Sequence, residues 1–177
     1  MAIIVEDGTN VDDANSYVTL LEVREFAEAR GFTLPEDDSS VEFKIIIAND
    51  YLESLKFKGY KTNEVLNGEV YETKTQALQW PRILVFIEDN IEPLDEHSIP
   101  LKIKNAQCQL VVEQIVNKIN LFPNSKGKFT IDERVGSLIT KYSEKLGSDT
   151  SLTLTSVSSF LSEYLDNNGY RVRSVRI

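Results

Sequence analysis

The chain carries one cysteine, one histidine, one tryptophan and no long apolar run, and each shortage removes a class of function. Cys108 alone can close no internal disulfide, and a cysteine-based metal site would need ligands that the chain does not supply. Its setting in a helical pattern reads as a small core position. No stretch approaches the roughly 20 apolar residues of a membrane span. The opening MAIIVEDGTN has neither the basic n-region nor the apolar h-region of a secretory signal. A protein made in and acting from the cytoplasm, with no membrane partner, is expected. His97 lies in EPLDEHSIP among acids and prolines, with no serine or cysteine motif beside it to activate, so a solvated loop histidine is expected. A hydrolase built on it would have to lose activity on His97→Ala. Phosphate-cradling, dinucleotide and zinc-protease motifs are missing. DGTNVDD lacks the alternating acids and closing glutamate of a calcium loop. The runs Glu36-Asp37-Asp38 and Glu88-Asp89 sit in loop composition, where acid–base work would need one carboxyl desolvated. No catalytic residue, cofactor or metal site is expected, and the chain reads as a non-enzyme.

What is present is an average globular composition: 41% of residues are hydrophobic and 27% charged, enough apolar surface for one folded unit. The net charge of −9 is unevenly spread. Residues 1–100 hold 21 acidic and 8 basic side chains, a balance of −13, and residues 101–177 hold 7 and 11, a balance of +4. Nucleic-acid affinity comes from neutralising phosphates, so the acidic half argues against a DNA-binding groove there. Such a surplus keeps a surface soluble, or suits a wall that DNA slides past.

Periodicity predicts the elements. AIIVEDGT reads as a short strand stopped at Asp7-Gly8. Thr19 and Glu22 have capping-box spacing ahead of Leu20, Val23, Phe26 and Ala27, and Gly31 suits a helix end, giving a helix over 20–30. Ser39 and Glu42 repeat that spacing before a helix over 41–56. Its positions Val41, Ile45, Ala48, Leu52 and Leu55, widened by Phe43, Ile46 and Ile47, make it the expected centre of the core. The irregular segment 58–99 holds a helical turn over 75–79 and QALQWPR, where Trp80, Pro81 and Arg82 form a packed structural anchor. A third helix opens at Pro100 and runs to 119. KFTIDERVGSLITKYS alternates on either side of Gly136 as a hairpin or an extended arm. Residues 151–167 return to helical spacing, with Leu154, Val157, Phe160, Leu161, Tyr164 and Leu165 as the apolar set. The tail YRVRSVRI alternates basic and apolar residues. It is either free and solvated, or docked on a sheet edge with its arginines on carboxylates.

The expected fold is therefore mainly α: a small helical bundle with a β-hairpin or extended arm and an extended C-terminal tail. Residues 1–123 form the helical body with the loop 58–99. Residues 124–177 add the hairpin arm, a short helix and the docking tail, all as one folding unit.

Several pieces, in order, carry a family resemblance: IIVEDGT, ANSYVTLLEVREFAEARG, IIIANDYLES with FKGYKT, QALQWPR, IPLKIKNAQCQLVVE and ERVGSLITKYS. Together they span most of the chain, and QALQWPR is the most specific. The sequence resembles a family of small tailed-phage and prophage proteins labelled DnaT-like single-stranded DNA-binding proteins. The order of its helices is similar to that of phage head-completion or connector adaptors. That resemblance implies a structural head-to-tail adaptor of the virion neck: a dodecameric ring below the portal that joins capsid to tail and lines the DNA channel. Its implied partners are copies of itself, the portal protein and a tail, tail-terminator or nozzle protein, with packaged double-stranded DNA passing unbound. Tyr170, Arg171, Val172, Arg173, Val175, Arg176 and Ile177 would contact portal or neighbour, and Phe129, Ile131, Arg134, Leu138 and Tyr142 would form an inter-subunit hairpin. The alternative is a single-stranded DNA-binding protein of phage origin.

Overall fold

The computed structural model describes residues 2–61, 76–87, 92–122, 131–135, 138–142 and 154–166. Helix α1 spans Leu20–Glu28, α2 Asp38–Glu53, α3 Leu101–Ile115 and α4 Thr155–Leu161. Strands β1 (Tyr60–Lys61) and β2 (Arg82–Ile83) pair antiparallel, as do β3 (Ile131–Val135) and β4 (Leu138–Tyr142). The mainly helical class expected from the sequence is the fold observed. Of the two forms left open for residues around 136, the chain adopts the hairpin, with Ile131 opposite Tyr142 and Val135 opposite Leu138.

α1 begins at the predicted capping box. The Glu22 N–H donates to Thr19 Oγ1 at 3.1 Å and the Thr19 N–H to Glu22 Oε2 at 2.6 Å, so two otherwise orphaned donors satisfy each other's residue. It ends where Phe32 N–H reaches back to Ala27 O (2.9 Å) around Gly31 at φ +74°, the left-handed closure that glycine accepts without a Cβ penalty. α2 starts three residues before the expected position. Asp37, not Ser39, is its cap: the Asp37 carboxylate accepts from Ser40 N–H at 3.0 Å. Aspartate caps at least as well as serine and here comes first in the chain.

The centre of the core is α3, and not α2 as the sequence suggests. α3 packs against α1, α2 and α4 and buries Ile103 and every residue from Ala106 to Gln114. α2 buries the expected Val41, Ile45, Ala48 and Leu52, but Phe43, counted as part of the apolar stripe, is 63% exposed. α3 also stops four residues early. Lys118 takes φ +53° and Ile119 N–H turns back to Glu113 O (3.2 Å), so residues 119–122 leave the helix axis. α4 is shorter than 151–167 because Tyr164, Leu165 and Asp166 are drawn off to pair with the chain after α2. Lys58 N–H donates to Tyr164 O at 2.7 Å, Asp166 N–H to Lys56 O at 3.0 Å, and Phe57 and Leu165 form a bridge.

The expected N-terminal strand reduces to one bridge between Val5 and Ser16. Buried Glu6 is the reason: its carboxylate accepts the N–H groups of Gly8, Asn10 and Val11 at 2.8, 3.0 and 2.9 Å, which coils the following chain into a loop. Gly8, at φ +107°, lies so close to the His97 carbonyl that a Cβ would fall 2.0 Å from it.

No helical turn forms over 76–79, and Thr75 lies outside the described residues. Gln76 Nε2 is used on Pro81 O (2.8 Å), and Gln79 N–H donates to Glu53 Oε1 (3.0 Å) in place of a carbonyl four residues back. The Tyr17 hydroxyl donates to Glu53 Oε1 at 2.6 Å and accepts Trp80 N–H at 3.1 Å. Tyr17 N–H in turn donates to Gln107 Oε1 (2.9 Å), whose amide nitrogen reaches Ser16 Oγ and Ile45 O. Burial, and then the Glu53 charge, pushes the Tyr17 phenol well above its usual range. Burial likewise raises the Glu53 carboxyl, against the opposing hydrogen bonds of Tyr17 and Gln79.

Two predictions follow from this seam. Tyr17→Phe removes the atom that satisfies both Glu53 and Trp80 N–H, and should lower unfolding free energy by about 1–3 kcal/mol, read from the urea midpoint at unchanged slope. Glu53 holds its proton more tightly folded than unfolded. Its contribution is therefore complete below the unfolded value and lost as pH rises through the folded one. The stability of the native chain relative to Glu53→Gln should fall in urea titrations as pH rises above the ordinary glutamate value of 4.5; a flat difference contradicts the assignment.

Candidate functional site

Along α2, Lys44, Ile47 and Tyr51 recur at three- and four-residue spacing, which places them on one side of the helix, with Phe43 at its edge. The left-handed turn at Lys118 lays Ile119, Asn120, Leu121 and Phe122 alongside that face. The rings of Tyr51 and Phe122 meet edge to face at 6.2 Å and 65°. Asn120 Oδ1 accepts Phe122 N–H at 3.1 Å and holds the segment in its turn.

Between these segments lies an open groove of about 260 Å³, lined by Lys44, Ile47, Gln114, Lys118, Ile119, Asn120 and Leu121. Gln114 fastens the floor, its amide nitrogen donating to Lys44 O (3.0 Å) and Leu110 O (3.3 Å). Lys44 Nζ sits 5.5 Å from the centre of the Phe43 ring, inside the range of a cation–π contact. Among the described residues the lysine and arginine ion pairs join Arg24 to Asp38, Lys102 to Glu163 and Lys104 to Glu22, and neither Lys44 nor Lys118 has a described carboxylate partner. Phe43 is 63% and Phe122 48% exposed. Two lysines thus line one concave place, and two solvent-facing rings are carried by Phe43 and Phe122, the chain neighbours of its lining residues Lys44 and Leu121.

This arrangement suits binding of an anion bearing flat apolar groups. Cys108, the one thiol, is buried on α3 and pushed up to about 12, by burial first and then by Glu22. His97 is exposed, with Nε2 3.6 Å from Glu96. Among the described residues no group of three metal-capable side chains converges, and no helix is long and apolar enough to cross a membrane.

The residues singled out from the sequence lie elsewhere. Trp80 is fully buried, edge-on to Phe57 (5.8 Å) and Tyr164 (5.7 Å), and its peptide to Pro81 is cis. Arg82 directs its guanidinium onto the carbonyls of Phe57, Lys58, Gly59 and Gln79. These three residues form an interior joint, away from solvent. Ile131, Arg134, Leu138 and Tyr142 occupy the β3–β4 ladder, with Arg134 opposite Ile139. Phe129 lies outside the described residues, as do Tyr170, Arg171, Val172, Arg173, Val175, Arg176 and Ile177. The groove residues escaped the sequence reading because Phe43 counts there as core and Lys118 as helix. The visible signal was a pair of aromatic-plus-lysine segments, FK at 43–44 and KINLF at 118–122.

The model of the family described as "Putative DnaT-like ssDNA binding protein" matches residues 1–177. No curated protein and no solved structure matches the chain. The head-to-tail adaptor role expected from the sequence is overturned by this match, which points to the alternative of single-stranded DNA binding. Matched from its first residue to its last, the chain belongs to the DnaT-like single-stranded DNA-binding family.

Proposed function

We propose that this protein binds single-stranded DNA as a phage-associated DNA-binding protein, and that it works by binding and not by catalysis. The observation that carries this reading is the family match over the whole chain. Elementary electrostatics sets what such binding must look like. With a net charge of −9 the molecule as a whole repels a polyanion, so affinity has to arise locally, from a few cations that release counterions and from rings that stack on bases. Binding of that kind is strongly weakened by salt, tolerant of sequence, and better for a strand than for a duplex, whose bases are already stacked on each other.

Fluorescence anisotropy with a labelled oligonucleotide tests this directly. A single strand should bind at low salt, a duplex of the same sequence more weakly, and log K should fall linearly with log salt at about −0.7 per phosphate neutralised. Absence of binding to any single strand at the lowest salt that keeps the protein soluble overturns the proposal.

A further inference from the structure

We infer that the groove between α2 and the reversal after α3 is the strand-binding site, with Lys44 and Lys118 on backbone phosphates and Phe43 and Phe122 against base faces. This rests on the single-stranded DNA reading above and adds where the strand lies.

Charge commitment is the first support. Many basic side chains already have occupations: Arg24, Lys102 and Lys104 pair with carboxylates, Arg82 is buried among carbonyls, and Arg30 lies 3.5 Å over the Phe26 ring. Lys44 and Lys118 line one groove together without a carboxylate partner among the described residues. In a protein this acidic, two converging uncommitted lysines form a place where phosphate is attracted while most of the surface repels it.

Ring exposure is the second. Phe43 projects from a helix whose buried face is complete without it, since Val41, Ile45, Ala48 and Leu52 are fully buried. An exposed phenylalanine beside a lysine offers a stacking face that costs the core nothing. Phe122, four residues after Lys118 and next in the chain to the lining residue Leu121, is the second half-exposed ring beside the groove.

The groove also explains indifference to base identity. Of the two side-chain amides that line the groove, Gln114 spends its nitrogen on Lys44 O and Leu110 O, and Asn120 spends its oxygen on Phe122 N–H. Phosphate charge and ring faces remain, and every nucleotide presents both.

The test compares the native protein with Lys44→Gln/Lys118→Gln, with Phe43→Ala, and with Lys56→Gln as a lysine-loss control outside the groove, using labelled oligo-dT over a salt series. Circular dichroism spectra and thermal midpoints establish that each variant is folded. Phe43→Ala is chosen over changes at Phe122 because Phe43 is the more exposed ring, whereas Phe122 packs edge to face on Tyr51. The lysine pair should weaken binding more than tenfold at low salt and reduce the salt slope by about 1.4, two phosphates at about 0.7 each. Phe43→Ala should weaken binding roughly fivefold or more with the slope unchanged, as loss of one stacked base requires. Lys56→Gln should leave both close to native. If the native protein binds and both groove variants bind equally well, the groove assignment is wrong while the DNA reading stands. If those variants instead shift the sedimentation coefficient with DNA binding intact, the groove is a contact between copies of the chain and the assignment is overturned. If the native protein binds no strand, the DNA reading fails and the groove assignment with it.

Discussion

The fold depends on a polar seam through its own core. Gln107, fully buried on the central helix, accepts Tyr17 N–H and donates to Ser16 and Ile45, while the hydroxyl of the same tyrosine joins Glu53 to the backbone at Trp80. Four parts of the chain that lie far apart in sequence are thereby held in one register: the entry to α1, both halves of α2, the middle of α3 and the segment before β2. Apolar packing alone would leave helices of this kind free to slide. Buried donors and acceptors do not tolerate sliding, because a displaced one loses its partner with no water to replace it.

Arg82 plays the complementary part at the far end of α2. A cation buried at 7% exposure would be costly if unpaired, and here it is surrounded by carbonyls of residues 57–59 and 79 that have turned toward it. Gly59 permits that turn: at φ +72° its Cα passes so near Ile83 that a Cβ would sit 2.3 Å from the carbonyl oxygen. The same stretch of chain pairs with residues 164–166, so the joint that fixes Trp80 also fixes where α4 ends. With these contacts set, α2 is free to show its other side, carrying Phe43 and Lys44, to solvent.

Counting charge along the chain proved a poor guide to charge at a place. The first 100 residues carry a balance of −13, which argued against DNA there, yet one lysine of that half meets another from the second half in a single groove. Screening shortens the reach of the distant acids to roughly 8–10 Å at moderate salt, so the groove's own cations dominate what a phosphate entering it encounters. The adaptor reading leaned on the same acidic balance together with helical order, and helical order is shared by many small α proteins of unrelated function.

Sequence by itself determined the helical class, the capping box of α1, the burial of Val41, Ile45, Ala48 and Leu52 on α2, and the burial of Cys108. Each is written in residues no more than a few positions apart, where hydrogen-bond reach and side-chain period leave little choice. Tertiary structure alone decided that α3 is central, that Glu6 coils the N-terminal segment, that α4 stops where Lys56 and Lys58 capture the chain, and that the core excludes Phe43. It also decided the groove, since Lys44 and Lys118 are 74 positions apart. Nothing local to either lysine specifies the other. They meet because the left-handed turn after α3 returns the chain over α2, and that return has meaning only once the two helices are packed.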